Sequence, residues 1–243
     1  MSPARALVFS LVGTLVLAAC GIGFAPPEAL PTRWGEAATP SPIPSSVPQG
    51  SLGFDHEEVA AVRILNEGCE AIVTGSGFAI DAHTVVTNRH VIENHYRLSA
   101  TTYDGTPLTV TGSYVSNWGD LGVLTIEEEL PVVVTLADAD PASGDFVQVV
   151  GYPDGKELRV SDGDILSKVD DQLEGEGQVF ATTAEAAPGS SGSAAYDSKG
   201  TVIGVLYAGD NYGITFIVPV EMLQDLLNNA ARRKTNEQAC EYF

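Results

Sequence analysis

The chain has 243 residues, 44% hydrophobic and 18% charged, so it carries enough apolar side chains to bury a core and is not a disordered polymer by composition. Lys and Arg total 12 against 32 Asp and Glu, a net charge of −20 with no clustered positive patch, which excludes nucleic acid as a partner. Three cysteines (Cys20, Cys69, Cys240) and four histidines fall at no metal-ligand spacing, so the sequence implies neither a metal nor another cofactor.

The amino terminus is an export signal. Arg5 supplies a positive start, and residues 6–18 form an apolar run too short to span a membrane comfortably. The segment Leu17-Ala18-Ala19-Cys20 resembles the bacterial lipobox, in which the chain is cut before Cys and a lipid is attached to its sulfur. An ordinary secretory signal is the plainer alternative. The expected organisation is a lipoprotein signal peptide at 1–19, a lipidated Cys20 with a Pro/Ser-rich tether at 20–52, and a folded domain at 53–243. Segment 37–50 has no apolar period and stays extended and solvated. The lipid would hold the protein to the membrane, on the extracytoplasmic face of the cell.

Within the domain, short apolar runs alternate with turn signals. They fall at 59–65, 71–80, 107–115, 121–126, 146–151, 201–207 and 213–218. The 25 Gly and 14 Pro residues favour many turns. This spacing predicts an all-β antiparallel sandwich or barrel. One helix follows Pro219, a good first-turn residue, with Val220, Leu223, Leu226, Leu227 and Ala230 on one face.

Three segments carry chemistry. Pro188-Gly189-Ser190-Ser191-Gly192-Ser193 combines hydroxyls with glycines. An acyl-transfer site needs a nucleophilic hydroxyl beside backbone N–H groups free to meet a developing oxyanion, and glycine permits that turn. His90 ends an apolar strand and opens a helical turn. Asp120 opens another apolar run. Each alone is common: small-residue loops, structural histidines and strand-opening acids all occur without catalysis.

Together they resemble trypsin-like, chymotrypsin-fold bacterial serine peptidases. Gly75-Ser76-Gly77-Phe78 is similar to the family's GxGF strand, and Thr87-Asn88-Arg89-His90-Val91 to its TNxHV. Asp120-Leu121-Gly122-Val123-Leu124 is similar to DLAVL, and Gly189-Ser190-Ser191-Gly192-Ser193 to GxSGG. Residues 213–219 resemble the closing strand before the terminal helix. The resemblance spans 59–230 and is nearest to actinobacterial membrane-tethered periplasmic serine proteases.

That resemblance implies two six-stranded antiparallel β-barrels with a carboxy-terminal helix. It implies Ser191 as nucleophile, His90 as general base and acid, and Asp120 as the group orienting His90. Gly189 and Ser191 would supply the oxyanion hole. Glu185, Tyr207, Ala208 and Gly209 would border the substrate. In trypsin-like members the place of Glu185 is the floor of the primary pocket, where a buried acid selects Lys or Arg; bacterial members often reshape this loop, and a broad or apolar preference is the default expectation. Ser190 stands where zymogen-activated members carry Asp, which argues against that activation route. Ser193 replaces the usual second glycine. The resemblance also implies a disulfide between Cys69 and Cys240.

The function expected is a serine endopeptidase acting on polypeptides through an acyl-enzyme. The alternative is a catalytically silent binding or sensing module on the same fold.

Overall fold

A computed structural model describes residues 55–69, 71–173, 177–210 and 212–239. The signal segment, the tether, Cys20 and Cys240 lie outside these described residues. Within them, fourteen strands and three α-helices follow in chain order: α1 Asp55–Ala60, β1 Ala61–Gly68, β2 Ile72–Asp81, β3 Thr84–Thr87, α2 Arg89–Ile92, β4 His95–Thr102, β5 Pro107–Leu108, β6 Val110–Ser116, β7 Gly122–Ile126, β8 Phe146–Gly151, β9 Arg159–Asp170, β10 Gln178–Thr182, β11 Ala194–Tyr196, β12 Val202–Gly209, β13 Thr215–Pro219, α3 Val220–Asn228 and β14 Arg233–Thr235.

Strands β8 to β13 close into a six-stranded barrel in the order β10-β13-β12-β11-β8-β9. The other strands form an eight-stranded sheet, β14-β6-β7-β3-β2-β1-β4-β5. Every strand pairing in both is antiparallel. Six strands remain in the sheet once β5 and β6, separated only by Thr109, are read as one and β14 is set aside. The all-β, two-lobed expectation therefore holds, and β14 is the addition: the chain returns from the second lobe to pair Arg233 with Ser116 and Thr235 with Tyr114.

Each lobe has its own core. Val62, Ile64, Val85 and Leu124 fill the first; Val147, Ile165, Phe180 and Ile217 fill the barrel. A third cluster joins the lobes through Phe78, Val86, Leu121, Val150, Val205 and Leu223. Burial on this scale contributes about 25 cal/mol per Å² of apolar surface removed from water, so the lobes are held together by the same force that forms them. Helix α3 packs on this shared cluster. Val220, Leu223 and Leu226 are buried as its period predicts, and Met222 joins them. Ala230 does not. It is exposed and begins a separate 3-10 turn, because Asn229 ends α3 and its side chain caps that turn by accepting from the Ala231 N–H.

Candidate active site

His90 lies in the single turn α2, directly after β3. Val91 and Ile92 are fully buried and anchor the turn, leaving the His90 side chain 40% exposed. Asp120 enters from the loop between β6 and β7 and is almost wholly buried, at 1% exposure. Its carboxylate meets His90 twice. Oδ1 accepts the backbone N–H of His90 at 3.0 Å, and Oδ2 faces ring Nδ1 in a short contact. The backbone of Asp120 is held too, since Asn88 Nδ2 donates to its carbonyl at 2.7 Å. The preceding Gly119 has φ +78°, the left-handed conformation that glycine adopts at least cost, with Met222 Cε packed against it.

Ser191 sits in the loop between β10 and β11. Two glycines shape it, Gly189 with φ +91° and Gly192 with φ +89°. A Cβ on Gly189 would come within 2.7 Å of Gly155 N and Tyr152 O, so the loop packs directly on the 152–155 turn. Among the described residues the backbone N–H groups of Gly189 and Ser191 donate to no acceptor, while those of Ser190, Gly192 and Ser193 are taken by Ala187 O, Leu206 O and Ser190 O. Ser190 is buried and its Oγ accepts from the Ala187 N–H at 3.3 Å. No carboxylate stands at that position.

Gly75 lies between the turn that carries His90 and the loop that carries Ser191. A Cβ there would meet Val91 Cγ1 at 2.5 Å on one side and Ser191 O at 3.2 Å on the other. The Ser191 hydroxyl is directed at the Tyr207 carbonyl, 3.4 Å away. The β12–β13 register shifts between Leu206 and Ala208 here, making Tyr207 an extra residue in the ladder. The buried Tyr207 hydroxyl donates to Asp171 Oδ1 at 2.9 Å. Ala208 is half-buried and Gly209 exposed along the same strand end.

Glu185 is exposed. Its backbone N–H donates to Ser161 Oγ at 2.8 Å. An exposed carboxylate has no desolvation penalty to offset, so Glu185 does not require a cationic partner. Sequence reasoning assigned no role to Ser76, Asn88 or Asp171. Ser76 and Asn88 stand inside the quoted motifs and were legible there. Asp171 had no signal, since it follows a polar strand and reaches Tyr207 only through the fold.

Residues 75–205 match the trypsin-like peptidase domain family. The chain belongs to that family. The match contains His90, Asp120 and Ser191. Similar curated proteins include a probable periplasmic serine endoprotease, DegP-like, of Hahella chejuensis, 30% identical over 168 residues, covering 65% of this chain and 36% of the relative. Serine protease Rv3671c of Mycobacterium tuberculosis is 26% identical over 179 residues, covering 69% of this chain and 44% of the relative. Its crystal structure in the active form superposes with a TM-score of 0.65 at 21% identity, covering 74% of this chain and 83% of that one. The HtrA-type protease AlgW with a tripeptide gives a TM-score of 0.61 at 25% identity, covering 72% and 62%. The trypsin-like chain spans 33–40% of the length of the first curated relatives it matches.

Proposed function

We propose that the protein is a serine endopeptidase that cleaves polypeptides through an acyl-enzyme on Ser191. The contact that carries this reading is the buried Asp120 carboxylate against Nδ1 and the backbone N–H of His90. It favours the tautomer with the proton on Nδ1 and leaves Nε2 as a base. The Ser191 hydroxyl turns about χ1 from the Tyr207 carbonyl to His90 Nε2 and gives up its proton. Its oxygen then attacks the scissile carbonyl. The N–H groups of Gly189 and Ser191, without acceptors among the described residues, receive the oxyanion. His90 returns the proton to the leaving amine, and water completes the cycle by the same route in reverse.

Tyr207, Ala208 and Gly209 lie on the strand end beside Ser191 and border the substrate chain. Glu185, at the surface, acts at the pocket mouth at most, which supports a broad or apolar preference over a basic one. The names of the DegP-like relatives, given as periplasmic, support an extracytoplasmic location. Cys20 is the lipid attachment point on the outer face of the membrane, with 20–52 as tether. Cys69 and Cys240 form a disulfide. Its support is a shared neighbour in space: Cys69 N–H donates to Asn94 O at 3.3 Å, and the N–H of Ala239, next to Cys240 in sequence, donates to the adjoining His95 O at 2.9 Å.

A serine-reactive fluorophosphonate probe and a proteome-derived peptide library test the reading together. Wild type should label and cleave, and Ser191→Ala should do neither while remaining folded. A wild-type protein that neither labels nor cleaves would instead be the silent binding module.

A further inference from the structure

Ser76 is fully buried in β2, in the first lobe, yet three of its contacts reach the nucleophile loop and the turn it packs on, and a fourth goes to β3. Its backbone N–H donates to Ser191 O at 2.7 Å. Its hydroxyl donates to Gly189 O at 2.9 Å and accepts the Tyr152 N–H at 2.8 Å. Its own carbonyl accepts from Thr87 Oγ1 at 2.7 Å. The two carbonyls that Ser76 holds belong to Gly189 and Ser191, whose N–H groups donate to no acceptor among the described residues.

We propose that the Ser76 hydroxyl is a positioning group for the oxyanion hole, an inference that rests on the endopeptidase reading above. The Gly189 N–H belongs to the peptide unit joining Pro188 and Gly189. Within one peptide unit the C=O and N–H point in opposite directions. Pro188 O accepts from the Asp154 N–H at 2.5 Å, so that bond aims the Gly189 N–H away from the 152–155 turn. Gly189 is the hinge about which this unit can flip, because glycine crosses between backbone regions at little cost. Flipping would put a carbonyl where the oxyanion forms. The Ser76 hydroxyl blocks the flip from the far side of the hinge by fixing Gly189 O. It also fixes Tyr152, whose carbonyl accepts from Gly155 N–H and so shapes the turn that holds Pro188. One hydroxyl thereby ties both sides of the hinge to a strand of the other lobe. A main-chain contact alone would not do this: the Ser76 N–H reaches Ser191 O whatever the side chain is.

The test compares the full wild-type chain with Ser76→Ala and Ser76→Cys, each calibrated by exhaustive fluorophosphonate labelling so that rates are stated per reactive site. Ala removes the hydroxyl. Cys fills the space with a weaker donor. With Ala, kcat per labelled site should fall about 10–100-fold and KM should stay within about twofold, because the hole acts in the transition state. The affinity of a peptide boronate, whose tetrahedral adduct uses the hole, should fall in parallel with kcat/KM. Cys should lie between Ala and wild type, and it carries the test alone if the Ala chain does not fold. A merely structural role would reduce the labelled fraction and leave kcat per site unchanged. Unchanged kcat per site and unchanged boronate affinity in a labelled variant overturn this inference alone. A wild-type chain that neither labels nor hydrolyses peptides overturns the endopeptidase reading and this inference with it.

Discussion

Arg232 lies over Trp118, its guanidinium carbon 4.3 Å from the ring centroid, just upstream of Asp120. The same segment takes hold of Asn117 on both sides. Asn117 N–H donates to Arg232 O at 2.9 Å, and its side chain donates to Ala231 O at 2.8 Å. Arg232 is itself braced by Asp225, with Nε 2.5 Å from Oδ2. The turn after α3 therefore grips the loop that carries the buried acid.

Arg232→Ala should lower stability by about 1 kcal/mol, mostly through the stacking contact, since a half-exposed ion pair adds little. Arg232→Lys keeps the charge without the planar face and should recover less than half of that. Urea unfolding midpoints measure both. Equal midpoints for Lys and wild type would assign the effect to charge instead.

Asp120→Asn should leave the fold intact and slow peptide hydrolysis by about 10⁴-fold, because the amide no longer selects the tautomer with Nε2 free. The assay is kcat at neutral pH, with circular dichroism as the control. A loss of less than tenfold would show that another group orients His90.

Burial lowers the pKa of His95 from its usual 6.5, against a smaller opposite effect from the bond between Nδ1 and Ile92 O at 3.0 Å. The folded state thus binds fewer protons here than the unfolded state. The resulting stability is present above about pH 6.5 and is lost as pH falls through the lower, folded value. His95→Gln should shrink the difference in Tm between pH 7.5 and pH 5.5. An unchanged difference would assign the acid sensitivity to the carboxylates.

Cys20→Ser should release the protein from the membrane fraction or leave its signal uncut. Fractionation and intact mass distinguish the variant from wild type. Membrane association of a processed Ser variant would mean that something other than a lipid on Cys20 holds it.

Non-reducing peptide mapping should find Cys69 linked to Cys240. Within the chain-entropy account, closing so long a loop adds about 4–5 kcal/mol, less any strain, so reduction should lower Tm markedly. Alkylation of both thiols in the native, oxidised protein would remove the bridge.

The local features were the legible ones. His90, Asp120 and Ser191 each stand in a short motif; Asp120 meets His90, and Gly75 packs between Val91 and Ser191. Helix α3 was legible because Pro219 and the apolar period mark it. β9 was not, since Arg159–Asp170 is mostly polar and exposed, with Ile165 buried, and its neighbours rather than its composition make it a strand. β14 was still less visible. Its three residues, Arg233-Lys234-Thr235, are all exposed and carry no apolar signal, and their pairing with β6 depends on where α3 delivers the chain. For Glu185, spacing gave a place relative to Ser191 but not its exposure, because burial is a property of the fold.

The return of the chain to β6 has a consequence for integrity. Without residues beyond Asn229, β6 would present an open ladder of N–H and C=O groups, the kind of edge that recruits strands from other molecules. β14 occupies that ladder and offers outward only a three-residue, cation-bearing edge of its own. Clipping of the exposed 229–235 segment by a neighbouring protease would therefore do more than loosen Asp120: it would turn a dispersed protein into a seed for intermolecular β-sheet.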